Sequence, residues 1–238
     1  MRVAVVSDIH GNLPALEAVL ADVAREGVDS LVVAGDTISG PWPVEVFERL
    51  AREEARIVHG NADREVLERR DRLGPLAVWC ADRMGDERLR IAATWPSTLE
   101  FEVDGLGRVL VCHSTPSSDE VIYTRITPDA EVAALLEGAT ADVVVSGHTH
   151  IQFDRRLAGG LRVVNPGSVG MPYEGTRGAF WALLGPDVEL RRTEYDVVSA
   201  VEEAEATGAP VQAEQLRYLV DPLDRDEATV EFERLRGS

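Results

Sequence analysis

The sequence predicts an α/β fold, a largely parallel sheet crossed by helices and followed by a helical appendage, and three observations predict it. Residues 2–6, 30–34 and 55–58 are short apolar runs that read as buried strands, and each stops at polar residues. Between them, apolar residues recur at helical spacing, so strand, helix and strand alternate. From Asp196 onward the chain is Glu-rich with a helical pattern broken at Gly208 and at Asp221-Pro222.

The first strand ends at Ser7-Asp8. Asn12 is placed to cap a helix with Pro14 in its first turn, and Leu13, Leu16, Leu20 and Val23 form its apolar face until Gly27 closes it. The second strand ends at Gly35-Asp36, completing a βαβ unit whose crossover should be right-handed. A helix over 44–52 leads to the third strand, which ends at Gly60-Asn61. Residues 63–93 are rich in Arg and Glu and poor in strand signals, a helical excursion of two or three segments. Residues 98–103 and 108–112 flank Asp104-Gly105-Leu106-Gly107 and read as a hairpin whose second strand ends at His113. A polar loop, 114–128, precedes a short helix near 130–137 and a buried strand over 142–145 that runs into Gly147-His148-Thr149-His150. A hairpin about Gly159-Gly160, the turn Asn165-Pro166-Gly167-Ser168, and strands over 179–184 and 188–193 complete the core. No linker divides the chain. One domain over 1–238 is expected, with its core at about 1–195, a helical insertion at about 63–95 and C-terminal helices from about 196.

Composition narrows the function. All 24 basic residues are Arg against 42 acidic residues, for a net charge of −18. So negative a surface does not coat nucleic acid or anionic membrane, which require clustered positive charge. Cys80 and Cys112 lie far apart and outside any ligand-like spacing, so neither a disulfide framework nor a cysteine-rich zinc site is expected. The chain has no long apolar run, and its first residues are too short for a signal-peptide core. A reducing, cytoplasmic setting follows as the expectation.

The chemistry is carried by the strand ends. In order they present Asp8-x-His10, Asp36, Asn61, His113 and His148-x-His150, which include four of the five histidines in the chain. A single Asp or His after a strand is ordinarily a loop residue or a helix cap. Seven metal-binding side chains, each at a strand terminus, point instead to one site, because loops at the carboxyl ends of α/β strands converge on one rim. Nitrogen and oxygen donors of this kind suit borderline-to-hard divalent ions.

These blocks, Ser7-Asp8-Ile9-His10-Gly11-Asn12, Gly35-Asp36, Gly60-Asn61-Ala62-Asp63, His113 and Gly147-His148-Thr149-His150, resemble the signature blocks of calcineurin-like metallophosphoesterases. The resemblance spans about residues 1–195. With Asn165-Pro166-Gly167-Ser168 after the last block, it is particularly similar to small bacterial phosphodiesterases and dinucleoside polyphosphate hydrolases of that family. It implies a four-layer αββα sandwich of two mixed sheets flanked by helices. It also implies two divalent ions, with Asp8, His10 and His150 on one, Asn61, His113 and His148 on the other, and Asp36 bridging. Manganese is the first expectation, with iron, zinc, nickel or cobalt also compatible with the donors. The implied reaction is in-line attack on phosphorus by a hydroxide bridging the ions.

One position departs from the family pattern. Family members commonly carry His between the Asn and Asp of the third block as a candidate general acid, and this chain has Ala62. Loss of such help, worth about 10²- to 10⁴-fold, weighs most on poor leaving groups. The expected activity is therefore hydrolysis of small phosphodiesters or nucleotides rather than alkyl monoesters. A dinucleoside polyphosphate hydrolase is the alternative, and a catalytically silent protein-binding scaffold on the same fold is the alternative of another class. Asn12, Arg64, Ser114, Tyr123 and Arg125, beside the ligand blocks or in the loop after His113, are candidate substrate contacts. Asn165 and Ser168 are expected to brace the rim, His59 to pack, Asp63 to cap the following helix, and Trp42 and Trp79 to fill the core. The implied partner is a small phosphorylated molecule, with no membrane and no extended nucleic acid.

Overall fold

The first buried run, β1 (Val3–Val6), becomes the central strand of a five-stranded sheet. In the computed structural model, which describes residues 1–69 and 75–237, β1 pairs in parallel with β2 (Ser30–Val33), and β2 with β3 (Arg56–Ile57). On its other side β1 runs antiparallel to β9 (Ala179–Leu184), which carries β10 (Val188–Thr193) at the edge. The second sheet has the order β4 (Thr98–Val103), β5 (Gly107–Cys112), β6 (Val143–Val145), β8 (Arg162–Asn165), β7 (Phe153–Arg156). β5, β6 and β8 are parallel, with an antiparallel strand at each edge.

Alternation along the strands builds the layers. Val3, Val5 and Val32 point one way and meet Val109, Val111 and Val145 of the other sheet, so the faces between the sheets form one apolar core. Ala4, Val6 and Val33 point the other way and are covered by Leu16, Val19 and Leu20 of α1 (Leu13–Glu26) and Leu50 of α2 (Pro43–Arg52). The outer face of the second sheet packs on Val132 of α5 (Asp129–Leu135). This is the αββα sandwich.

The helical excursion resolves into α3 (Asn61–Glu68) and α4 (Leu76–Ala92), the latter kinked at Gly85, where φ is +68°. Residues 70–74, which fall within the expected excursion, lie outside the described residues. The tail forms α6 (Val197–Ala206), α7 (Ala213–Val220) and α8 (Arg225–Arg236). Cys80 and Cys112 are buried free thiols, pushed up to about 12 by burial. Among the described residues no helix is long and apolar enough to cross a membrane.

Candidate metal centre

Asp8 and His10 follow β1, Asp36 follows β2, Asn61 opens α3 just after β3, His113 follows β5, and His148 and His150 follow β6. The two sheets thus deliver all seven side chains to one rim. Backbone bonds stitch that rim together: His10 N donates to Asp36 O at 2.9 Å, Gly147 N to His113 O at 2.8 Å, and Gly170 N to Asp8 O at 3.0 Å. Asn165 and Ser168 brace it as the sequence predicts. The Asn165 amide donates to Gly147 O at 2.7 Å, and the Ser168 hydroxyl donates to Asp8 O at 2.7 Å.

Asp8, His10, Asp36, His148 and His150 all adopt left-handed backbone, with φ between +46° and +69°, and only two other non-glycine residues among those described do so. Such conformations are uphill for L-residues and persist where the surroundings over-determine them, which is characteristic of functional sites. Close approach adds a further demand, since a Cβ on Gly60 would strike the Asp36 carboxylate and one on Gly147 would strike Ser7 and Asp8.

The donor atoms converge in two overlapping groups. Asp8, His10, Asp36 and His150 each offer one ligand atom, all within 4.8 Å of one another. His150 Nε2 lies 3.2 Å from both Asp8 Oδ1 and His10 Nε2. On the other side, one end of the Asn61 amide is 3.0 Å from both His113 Nε2 and His148 Nδ1. Asp36 Oδ2 lies between the groups, 3.7 Å from His10 Nε2 and 3.5 Å from His113 Nε2, while its Oδ1 accepts from Ala62 N at 2.8 Å.

The outward nitrogens are spoken for. His113 Nδ1 donates to Ala34 O at 2.8 Å, His148 Nε2 to Glu120 O at 3.2 Å, and His150 Nδ1 to Met171 O at 2.7 Å. The Ser39 backbone acts on His10 in the same way. Each imidazole is thereby fixed in the tautomer that turns its lone pair inward, the arrangement of metal-ligating histidines.

Charge tells the same story. Burial, joined by His150, holds His10 down to about 3, and burial with His113 does the same to His148, so both are neutral near pH 7. Burial acts to raise Asp8, but the facing His150 brings it well below the usual carboxylate range. Burial pushes Asp36 up, helped by the Asp8 charge. Burial would lower His113 and His150, yet Asp36 raises the first and Asp8 the second. A divalent cation among these atoms relieves the conflict, since it favours ionised carboxylates and neutral imidazoles together. The donor set fits such an ion.

Other predicted residues are engaged within the fold. Asn12 caps α1, its Oδ1 accepting from Ala15 N at 3.2 Å, and its Nδ2 donates to Gly170 O at 3.1 Å, yet it still lines the cavity beside the centre. Arg64 donates to Asp119 at 2.8 Å and Glu120 at 2.9 Å and faces a second cavity shared with His59, Thr115 and Ser117. Three candidate contacts face neither cavity, because each is taken up internally. The Ser114 hydroxyl donates to Val121 O, the buried Tyr123 hydroxyl pairs with Ser146, and Arg125 pairs with Asp226 of α8 at 2.5 Å. Asp63 does more than cap. Its carboxylate accepts from Gly60, Thr37 and Ile38 N–H groups at 2.8–3.0 Å and so ties α3 to the Asp36 loop, while burial and the Asp36 charge push it up to about 6. Trp42, expected in the core, instead lines the cavity by the centre, together with residues of α6, α7 and α8 that sequence reading did not place there. No local motif marked them; their only signal is the Leu216–Leu219 spacing on α7.

A two-sheet sandwich with a metal-binding rim of this composition defines a metallophosphoesterase. The calcineurin-like phosphoesterase superfamily domain matches residues 1–184, and the chain belongs to that family. It is 30% identical over 224 residues to the Methanocaldococcus jannaschii protein MJ0912, covering 84% of this chain and 90% of that one. It is 30% identical over 202 residues to the Escherichia coli phosphodiesterase YfcE, covering 79% of this chain and 89% of YfcE. The crystal structure of a metallophosphoesterase from Sphaerobacter thermophilus superposes with a TM-score of 0.76 at 26% identity, covering 93% of this chain and 98% of the other.

Proposed function

We propose that the protein is a dinuclear metal-dependent phosphoesterase acting on small phosphodiester substrates, in a reducing, cytoplasmic setting. The observation that carries this reading is the convergence of inward-facing donors in two groups that share Asp36 Oδ2. Asp8, His10 and His150 would hold one ion and Asn61, His113 and His148 the other, with Asp36 bridging. When bound, two divalent ions activate water and clamp phosphoryl oxygens for in-line displacement. Manganese is the first choice, with iron, zinc, nickel or cobalt also compatible.

The chain's own residues orient the reaction. The Ala62 N–H fixes Asp36 Oδ1, so that Oδ2 faces both histidine groups. With a methyl group at residue 62, no side chain there donates a proton to the leaving oxygen, which supports diesters with good leaving groups over alkyl monoesters. The diester preference also has support from the likeness to YfcE, a phosphodiesterase. A scaffold reading finds support only at Ala62, since all seven ligand positions hold competent side chains.

The test is metal quantification on purified protein, coupled to turnover of an aryl diester, a matched aryl monoester, an alkyl monoester and a dinucleoside tetraphosphate with several divalent ions. The expected result is about two ions per chain and fastest turnover of the aryl diester. Turnover of the alkyl monoester as fast as the diester would reject the leaving-group argument, and absence of metal uptake would reject the whole reading.

A further inference from the structure

A cavity of about 290 Å³ opens directly onto the candidate metal centre, with His10, Asp36, Asn61, His148 and His150 in its wall. Its far wall is apolar. Trp42, Met171, Tyr173, Leu216, Leu219 and Phe232 form it, contributed by the α2 entrance, the loop after β8, α7 and α8. The family domain matches residues 1–184, so α6, α7 and α8 wall the cavity from beyond that match.

Aromatic packing makes that wall continuous with the ligands. The Tyr173 ring stacks on the His150 ring with centroids 5.2 Å apart and planes 10° apart, and Phe232 of α8 lies 6.0 Å beyond Tyr173. Charge separates the candidate occupants. Among the described residues no Arg lines the cavity, although the chain has 24 basic residues, and Glu65 is the one carboxylate in its wall outside the ligand set. Among the described residues, a second or third phosphate carried into this space would meet apolar side chains and a few neutral polar ones, Asn12, Ser39 and Gln215, where it needs cationic donors. Its volume lies at the small end of ligand cavities, which run about 300–1,000 Å³.

We propose that this cavity is a specificity site for an uncharged, apolar organic substituent, aromatic or branched aliphatic, on a substrate carrying a single phosphoryl group. This rests on the phosphoesterase reading above and narrows it. It favours such an occupant over the dinucleoside polyphosphate alternative, because among the described residues no Arg lines the cavity to meet a polyphosphate chain. Leu216 and Phe232 are half-buried at the wall, so each presents apolar surface to the occupant.

The test compares phosphonates, which bind without turnover and carry one organic substituent each. Isothermal titration of the metal-loaded protein should show (1-naphthylmethyl)phosphonate binding at least about tenfold tighter than methylphosphonate, the difference expected from burying a ring system. A pentane-1,5-diphosphonate should bind no tighter than methylphosphonate. Leu216→Gln and Phe232→Ala, each checked for retained circular dichroism, should shrink the naphthyl advantage to under about threefold. Val230→Gln, at an exposed α8 position, should preserve it. In chelator, where the ions play no part, naphthalenemethanol should still quench tryptophan fluorescence in the wild type, and Trp42→Phe should reduce that quenching. Equal affinity for the two monophosphonates, or a naphthyl advantage unmoved by both wall variants, would overturn the cavity assignment while hydrolysis of bis(p-nitrophenyl) phosphate left the phosphoesterase reading intact. If naphthalenemethanol binds but the protein takes up no metal and cleaves no ester, the phosphoesterase reading fails, and the substrate assignment built on it fails as well.

Discussion

At the sheet rim, five side chains stand on left-handed backbone and buried charges face one another, whereas α6, α7 and α8 follow ordinary helical geometry and attach through buried side chains such as Val197, Ala200 and Ala228 together with side-chain pairs. The rim is held by main-chain bonds between the loops of two sheets, so each candidate ligand is fixed from several directions. Polar contacts pin α8 in addition: Glu233 accepts from Thr124 Oγ1 at 2.7 Å, Arg236 meets Glu131 at 2.5 Å, and Arg225 meets Glu174 at 3.4 Å. Strain is tolerable only where many contacts over-determine it, so chemistry that needs strained, crowded donors is confined to the rim. A wall made of helices can change its side chains without disturbing that geometry.

Asp36→Asn should break the comparison most severely, because Asp36 Oδ2 faces both donor groups. Outer-shell changes at metal sites cost about 10- to 100-fold, so replacing a shared ligand should exceed about a hundredfold in turnover and lower the metal stoichiometry. Turnover within tenfold of wild type would remove Asp36 from the centre. Chelation should come next. Ions that bind the folded chain alone at 100 times their dissociation constant contribute about 2.7 kcal/mol, so a chelator should lower the melting temperature by several degrees. Hydrogen exchange should then rise at 147–150 and stay unchanged in α8. An equal rise in both regions would show that the appendage shares the rim's dependence on metal.

The same substitution in each region sharpens the contrast further. Leu183 of β9 is fully buried against α1, and Leu183→Ala should cost about 3 kcal/mol, within the 2–5 kcal/mol typical of core truncation. Leu219 of α7 is 9% exposed and borders an open cavity, so Leu219→Ala should cost less than about 2 kcal/mol, the removed atoms leaving space that solvent or ligand can enter. Denaturant titration measures both. Comparable losses would mean that α7 belongs to the cooperative core.

What could be read from the sequence follows the same division. Asp8-x-His10 and His148-x-His150 are legible because strand ends and glycine turns are local, and because parallel-sheet topology carries them to a common rim. The two-sheet arrangement came from the family resemblance, since the alternation of Val residues does not say which sheet covers them. Tyr123 illustrates the limit. Its loop position marks it as a candidate contact, yet its hydroxyl is buried against Ser146, a tertiary pairing with no sequence signature. Trp42 fails in the opposite direction: an aromatic residue defaults to the core, and only the placement of α7 and α8 makes it a cavity wall. Helices that pack through scattered Leu, Phe and ion pairs carry amphipathic pattern but no address.

The smallest effect tests how the appendage is fastened. Glu233 is the α8 carboxylate that reaches the loop after His113. One oxygen accepts from both Thr124 and Thr127 hydroxyls, and the other meets Arg236 Nε at 2.9 Å. Burial acts to raise this carboxyl, but the hydroxyl donors and Arg236 hold it below its ordinary value, so it is ionised near pH 7. Glu233→Gln keeps the size and an acceptor oxygen while removing the charge. The cost should be the difference between charge-assisted and neutral hydrogen bonds at a partly solvated site, about 1 kcal/mol. Because α8 carries Phe232, the loss should appear as faster hydrogen exchange in α8 and a modest weakening of (1-naphthylmethyl)phosphonate, with metal stoichiometry unchanged. A fall in metal content would show that the tether also positions the loop between His113 and Glu120, and that the two regions are coupled through it.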